Sequence, residues 1–261
     1  MANNLASIWD ADPDAAPREL PSFENDTVGR FRSGRLVKSG RTETPEALNE
    51  WRVTTGDPTV ADKVAELFGG EPVEWDPEKE DRLEVLTEAK TVSIIIEPDG
   101  VDASFKQFIP GVGMTHHCDG FKILSVPEED QGKACGCPTL IAERKLKAQR
   151  GGAKPSVDVT FRLLDAPELG KFRFNSGSWK LVEALGPLFG DLDRYGNAGD
   201  EETGAEGVPV RASLTIENVT YVPKKGPRAG QTVSYNKPVI KVFGVYEDAG
   251  DPAADLLGKA A

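Results

Sequence analysis

All three cysteines and both histidines of this 261-residue chain fall between His116 and Cys137. Thiolate and imidazole suit Zn²⁺, which takes four such ligands in a tetrahedron. They are arranged as two short arms, His116-x-Cys118 and Cys135-x-Cys137, with 16 residues between Cys118 and Cys135. His117 is a second candidate for the imidazole ligand, although neighbours in the chain such as His117 and Cys118 chelate less well. Gly120 and Gly136 let the backbone turn sharply beside the thiolates, and Pro138 stops the second arm from continuing as a helix. The spacing therefore predicts a structural zinc site drawn from His116, His117, Cys118, Cys135 and Cys137. Two other readings stay open. One is three buried thiols and two surface imidazoles. The other is a redox role, for which Cys-x-Cys is the wrong spacing and a resolving pair is missing.

A catalytic zinc keeps one position open for water and needs a general base. Four soft ligands would fill the shell, and no His-Glu-x-x-His motif is present. Such a closed site binds its ion by about 10–16 kcal/mol, on the scale of a whole domain's stability, about 5–15 kcal/mol. The loop 114–138 is expected to be stapled by metal.

Charge narrows the partners. The formal net charge is −12, whereas DNA binding draws on Lys and Arg releasing counterions from phosphates. A basic protein partner fits this balance better than autonomous contact with DNA. The longest apolar runs, such as Val92 to Ile96, are far below membrane-spanning length. No basic-then-apolar leader opens the chain, and few cysteines, odd in number, fit a reducing compartment. The expected location is the cytoplasm.

Along the chain, residues 1–27 read as an acidic flexible tail with one aromatic, Trp9. Residues 28–41 are basic and glycine-punctuated, read as short strands that are either a solvated hairpin face or a phosphate- or partner-contacting ribbon. Thr44 to Leu48 offer a cap, a proline and a short helix, and Trp51 to Thr55 a strand. The clearest helix spans 57–70, with Asp57 or Thr59 as cap, Val60, Val64, Leu67 and Phe68 on one stripe, and Gly69-Gly70 as its stop. Strands follow at 83–87 and 91–96. A basic helix is expected over 141–150 with Leu140 and Leu146 packing inward. Alternating strands are expected at 155–164 and 170–174, then a helix from Trp179 ending near Gly186-Pro187. Residues 190–207 read as a mobile acidic loop. Two long strands, 208–221 and 232–246, are joined by a basic tip carrying Lys224, Lys225 and Arg228. The expected architecture is α+β: a β-rich mixed body over 28–247 with a few short helices and a zinc-stapled loop, followed by a flexible C-terminus, 248–261.

Enzymatic signatures are missing. There is no Walker-A sequence, no dinucleotide fingerprint and no Gly-x-Ser-x-Gly elbow. With both histidines in the metal loop, histidine acid–base chemistry has no place elsewhere. The chain reads as a non-enzyme.

Several separated segments carry a resemblance. These are Gly29 to Arg35, the Pro-Glu-Ala-Leu-Asn-Glu-Trp-Arg-Val-Thr run at 45–54, the Val-Ala-Glu-Leu-Phe-Gly-Gly-Glu-Pro-Val-Glu-Trp run at 64–75, and Cys118-Asp-Gly120 ahead of Cys135-x-Cys137-Pro138. In this order, over roughly residues 28–185, they resemble the phage recombination directionality factors of actinobacterial phages and prophages. The resemblance implies a non-enzymatic regulator that binds a large serine integrase and switches it from integration (attP × attB) to excision (attL × attR). It implies action through the integrase's zinc-bearing C-terminal region and coiled coil, with DNA reached only through the integrase. Many relatives carry a further cysteine four residues before the Cys-Asp-Gly cysteine. Met114 stands there in this chain, so a histidine must compensate if the site is to keep four ligands. Exposed Trp9, Trp75 or Phe108, rimmed by carboxylates, are the expected partner anchors. The alternative function is a phage replication or repair accessory that binds single-stranded DNA through the basic strands and hairpin tip. A zinc hydrolase is a third reading, and it needs an open coordination position.

Overall fold

The computed structural model describes residues 27–39, 42–76, 78–197, 206–224 and 229–247. The expected acidic tail with Trp9, the C-terminus from 248, Lys225 and Arg228 of the basic tip, and residues 198–205 of the acidic loop lie outside the described residues. Eleven strands and three α-helices are defined among the rest. The strands are β1 (Gly29–Ser39), β2 (Thr42–Thr55), β3 (Pro72–Glu74), β4 (Leu83–Leu86), β5 (Thr91–Ile109) and β6 (Gly113–Cys118). They continue with β7 (Ile123–Val126), β8 (Lys154–Leu163), β9 (Ala166–Ser176), β10 (Val210–Tyr221) and β11 (Val233–Val245). The helices are α1 (Pro58–Phe68), α2 (Ile141–Gln149) and α3 (Trp179–Arg194). The architecture is the expected β-rich mixed body with short helices.

One sheet runs β11-β10-β5-β8-β9-β1-β2-β4-β3, and β6 and β7 branch from the far end of β5. Only β1 with β9 is a parallel pair among these. The sheet curls, so β11 at one end of the order meets β2: Asn236 Nδ2 donates to the Leu48 carbonyl at 2.8 Å and to Asn49 Oδ1 at 3.0 Å. The alternation read in the sequence places Val157, Val159, Phe161, Phe172 and Phe174 on the inner face, all fully buried. They surround Phe31 and Trp51. Phe31 meets Phe161 edge-on at 5.4 Å between centroids and Phe172 at 5.5 Å, and Trp51 meets Phe174 at 5.3 Å. Such pairs add about 0.5–1.5 kcal/mol each beyond area burial.

Helix α1 forms where its pattern demands. Asp57 accepts from the Thr59 backbone N–H at 2.8 Å, Gly69 closes the far end with φ 77°, and Val60, Ala61 and Val64 enter the core. Three other local expectations are overturned. Residues 44–48 are not a helix but part of β2, with Pro45 opposite Leu36 and Glu46 opposite Arg35. Over this stretch β2 pairs only with β1 among the described strands, so a proline on its open side leaves no ladder bond unmade. Helix α3 does not stop at Gly186-Pro187 but continues to Arg194, burying Leu181, Leu188 and Leu192. Leu188 and Leu192, the two that lie beyond Pro187, are worth about 1.5–3 kcal/mol each when buried, which together offsets the roughly 3 kcal/mol an interior proline costs. The segment expected as a loop from 190 is thus helical up to Arg194. Beyond it Asn197 is buried, its amide donating to the carbonyls of Ile96 at 3.2 Å and Val208 at 2.9 Å.

Strand β5 is the element that links core to loop. Its first half, with Ile94, Ile95 and Ile96 fully buried, lies between β10 and β8. The register shifts between Ile96 and Val101, where Asp99 takes a φ of 58°. Its second half runs out beyond the core, pairing β8 and then β6 through Phe105↔Cys118 and Gln107↔His116.

Candidate metal centre

Both arms of the His/Cys cluster are set by backbone pairing. Residues His116 and Cys118 lie on β6, two apart, and side chains two apart on a strand share a face. The neighbour His117 is turned to the other face, where its Nδ1 sits 2.7 Å from Ser125 Oγ on β7. The second arm is delivered by a turn after β7. Ala134 bridges to Lys122, and the Cys135 N–H donates to the Phe121 carbonyl at 2.8 Å. Gly136, at φ 63°, then turns Cys137 back toward β6.

The result is a four-donor group. One donor atom each from His116, Cys118, Cys135 and Cys137 lies within 4.8 Å of all the others, with Cys118 buried and the rest partly so. His116 Nε2 and Cys137 Sγ are 3.3 Å apart. Around a tetrahedral Zn²⁺ with Zn–S near 2.3 Å, the sulfurs stand about 3.8 Å from one another, so a small contraction suffices. The donor set and its geometry fit a closed, soft-ligand site; these four residues could hold a metal ion. His117, a candidate on sequence, stays outside this group because a strand cannot present adjacent residues to one centre.

The electrostatics agree with that chemistry. Burial, together with the neighbouring Cys137 and Cys135, pushes the Cys118 thiol up to about 12. A thiol so placed ionises readily only when a cation takes the charge. Burial, then Lys147 and Arg144, hold His116 below the usual imidazole range, which favours the neutral form a metal requires.

The loop between the arms is held by residues outside the motif. Asp119 Oδ1 accepts from the Phe121 N–H at 2.6 Å and the Lys122 N–H at 2.7 Å, and these bonds keep its carboxyl below the usual range. Gly120 has a φ of 109°, a conformation that L side chains rarely adopt. Its carbonyl accepts from Nη2 of Arg144, whose guanidinium carbon lies 4.6 Å from the centre of the Phe105 ring.

Arg144 corrects the expectation for helix α2. The helix forms as expected, but Leu140 and Leu146 face solvent at 61% and 57% exposure, while Arg144 and Ala148 are buried. Arg144 and Ala148 are four apart and share the inward face. Lys145 pairs with Glu183 of α3 and approaches the Trp179 ring, which itself lies 6.0 Å from Phe105. Arg144 was legible only as a basic residue in a basic helix. Its partner is a backbone carbonyl 24 positions away, which no periodicity reports.

Two of the expected anchors are also placed. Phe108 is 66% exposed. Trp75 is not a free aromatic: its Nε1 donates to the Asp81 carbonyl, and Arg52 and Lys79 lie 4.4 and 4.1 Å from its ring centre.

The chain thus combines a curled, β-rich mixed sheet with a four-donor His/Cys cluster, at the end of its longest strand, that could hold a metal ion. The family model described as Gp3-like, recombination directionality factor-like, matches residues 28–197, and the chain belongs to that family. The matched span runs from β1 through α3 and includes all four clustered donors. No solved structure matches the chain. No helix among the described residues is long and apolar enough to cross a membrane.

Proposed function

We propose that this protein is a non-enzymatic directionality factor that binds a phage large serine integrase and switches it from attP × attB to attL × attR recombination. The family match over residues 28–197 carries the reading. The net charge of −12 supports action on a protein partner rather than on DNA directly. The host cytoplasm, where the integrase works, is the place this role requires.

In this reading a structural Zn²⁺ is held by His116, Cys118, Cys135 and Cys137. When bound, the ion supplies cross-linking between β6 and the turn after β7, and no substrate chemistry. Met114 occupies the place of the relatives' additional cysteine, and His116, two residues on and on the donor face of β6, takes over its role as fourth ligand. Strand β6, the loop around Gly120 and helix α2 would then form one rigid block at the end of β5.

The test is a recombination assay with the serine integrase of the same phage or prophage, run on attP × attB and attL × attR substrates with and without this protein. Excision is expected to appear and integration to fall. No effect on either reaction by folded, zinc-loaded protein would overturn the reading.

A further inference from the structure

The outward face of the sheet gathers the arginines that the sequence scatters. On β1, Arg30 and Arg32 alternate with buried Phe31; Arg32 lies opposite Arg52 on β2, and Arg30 beside Arg173 on β9. An open cleft of about 850 Å³ runs over this face, lined by Arg30, Arg32, Arg35, Arg52 and Lys79. A second, of about 550 Å³, shares Arg30 and Arg32 with it and adds Lys106 and Arg173. A third shares Lys106 and Phe108 with the second and extends to Lys154. The three form one trough with eight cationic side chains, in a chain whose net charge is −12.

Four of these cations, Arg32, Arg35, Arg52 and Arg173, are held in place by carboxylates. Arg32 Nη2 bonds Asp81 at 2.7 Å, Arg52 Nε bonds Glu84 at 2.5 Å, Arg35 bonds Glu46 at 2.6 Å, and Arg173 bonds Asp158 at 2.7 Å. A guanidinium has five N–H donors, so one carboxylate leaves donors for a second. Fixed forks also lose little side-chain entropy on binding. Leu36 and Phe108, 64% and 66% exposed, stand on the rim as apolar contacts.

We infer that this trough docks an acidic segment of a protein partner, with carboxylates on the arginines and apolar side chains against Leu36 and Phe108. The inference rests on the partner-binding reading above and assigns it a surface. The four interleaved carboxylates decide between peptide and nucleic acid. A phosphate backbone carries a charge at every step and would be driven onto Glu46, Asp81, Glu84 and Asp158. A peptide can space its carboxylates to avoid them. Single-stranded DNA also needs successive stacking platforms, and Trp75 is already flanked by Arg52 and Lys79.

Fluorescence anisotropy on the full chain tests this with three probes: a labelled peptide of glutamate and leucine, its lysine-for-glutamate counterpart, and oligo-dT of the same net charge as the first. The glutamate peptide is expected to bind, to weaken as salt is added, and to lose about tenfold or more in affinity with Arg35→Glu plus Lys79→Glu. Lys90→Glu plus Lys241→Glu makes the same charge change at two exposed lysines that line none of these clefts, and should leave binding within about twofold. Thermal melts confirm that each variant is folded. Equal loss in both double variants, preferential oligo-dT binding abolished by Phe108→Ala, or absence of glutamate-peptide binding at low salt would each overturn the assignment. The same variants in the recombination assay separate the two readings. An inactive wild type sinks the directionality role and leaves the trough to be decided by the peptide. An active wild type with an equally active Arg35→Glu, Lys79→Glu variant sinks the trough as the partner surface.

Discussion

Nε2 of His116 lies 3.3 Å from Sγ of Cys137, across 21 positions of sequence. The first residue of one arm thus meets the last residue of the other, and everything between them is enclosed as a loop. Cys118 and Cys135 complete the group from inside that loop.

Ligand identity is testable one residue at a time. His116→Ala, Cys135→Ser and Cys137→Ser should each lower zinc content, measured by elemental mass spectrometry, and melting temperature together. His117→Ala should keep the metal, because that ring faces Ser125. A chelator should lower the melting temperature of the wild type toward that of the cysteine variants. Full zinc content in the His116 and cysteine variants would remove the site.

Arg144→Met keeps much of the side chain's length and apolar bulk while removing the guanidinium from the Gly120 carbonyl and the Phe105 ring. A buried carbonyl left without its donor costs about 1–3 kcal/mol. Residues that orient a metal loop without touching the ion typically change affinity about 10–100-fold. Competition with a zinc-binding dye should therefore show weaker zinc retention by about tenfold. An unchanged zinc affinity would reduce Arg144 to a packing residue.

Gly120→Ala places a Cβ on a residue at φ 109°, and the same Cβ would come 3.5 Å from both Arg144 and Phe105. The backbone strain alone is about 1–3 kcal/mol. The expected result is a lower melting temperature with zinc bound, and earlier zinc loss on titration with chelator. Gly136→Ala, which meets no atom within 4 Å, should be milder.

Asp81 couples stability to acid. Its burial raises the carboxyl's pKa, but hydrogen bonds from Thr54 and Arg32 and the charge of Arg32 more than reverse that, leaving it below 3.8. A depressed carboxylate contributes stability that is fully present above the unfolded value and is lost as pH falls through the folded one. Asp81→Asn should therefore lower stability at pH 7, by about 1–3 kcal/mol, and the gap to wild type should narrow below about pH 4. Denaturant melts across pH 3–7 measure this; a gap that stays constant with pH would show that the carboxylate charge plays no part.

Some features were legible because their causes are local. The two-residue spacing in each arm of the cluster needs only a short extended backbone, so the five candidate ligands could be named without a fold, the two histidines remaining alternatives. Helix α1 carries its own cap at Asp57, its own stripe and its own stop at Gly69. The strand pairs β8–β9 and β10–β11 announce themselves by alternation. The choice between His116 and His117 was almost legible too: it follows at once if residues 113–118 are a strand, and nothing within that short stretch says so.

What the sequence alone determined is the set of periods, caps and ligand types, because those rest on contacts between residues a few positions apart. Only the tertiary structure decided that Thr44 to Leu48 extend along β1 instead of coiling, that α3 runs through Pro187, that Arg144 rather than Leu146 faces inward, and that the arginines of β1, β2 and β9 share one trough. Local preferences differ by about 1 kcal/mol or less per residue, apart from proline. A buried leucine, a satisfied backbone carbonyl or a completed strand ladder each contributes as much or more. Where the two disagreed, the contacts made across long stretches of chain prevailed.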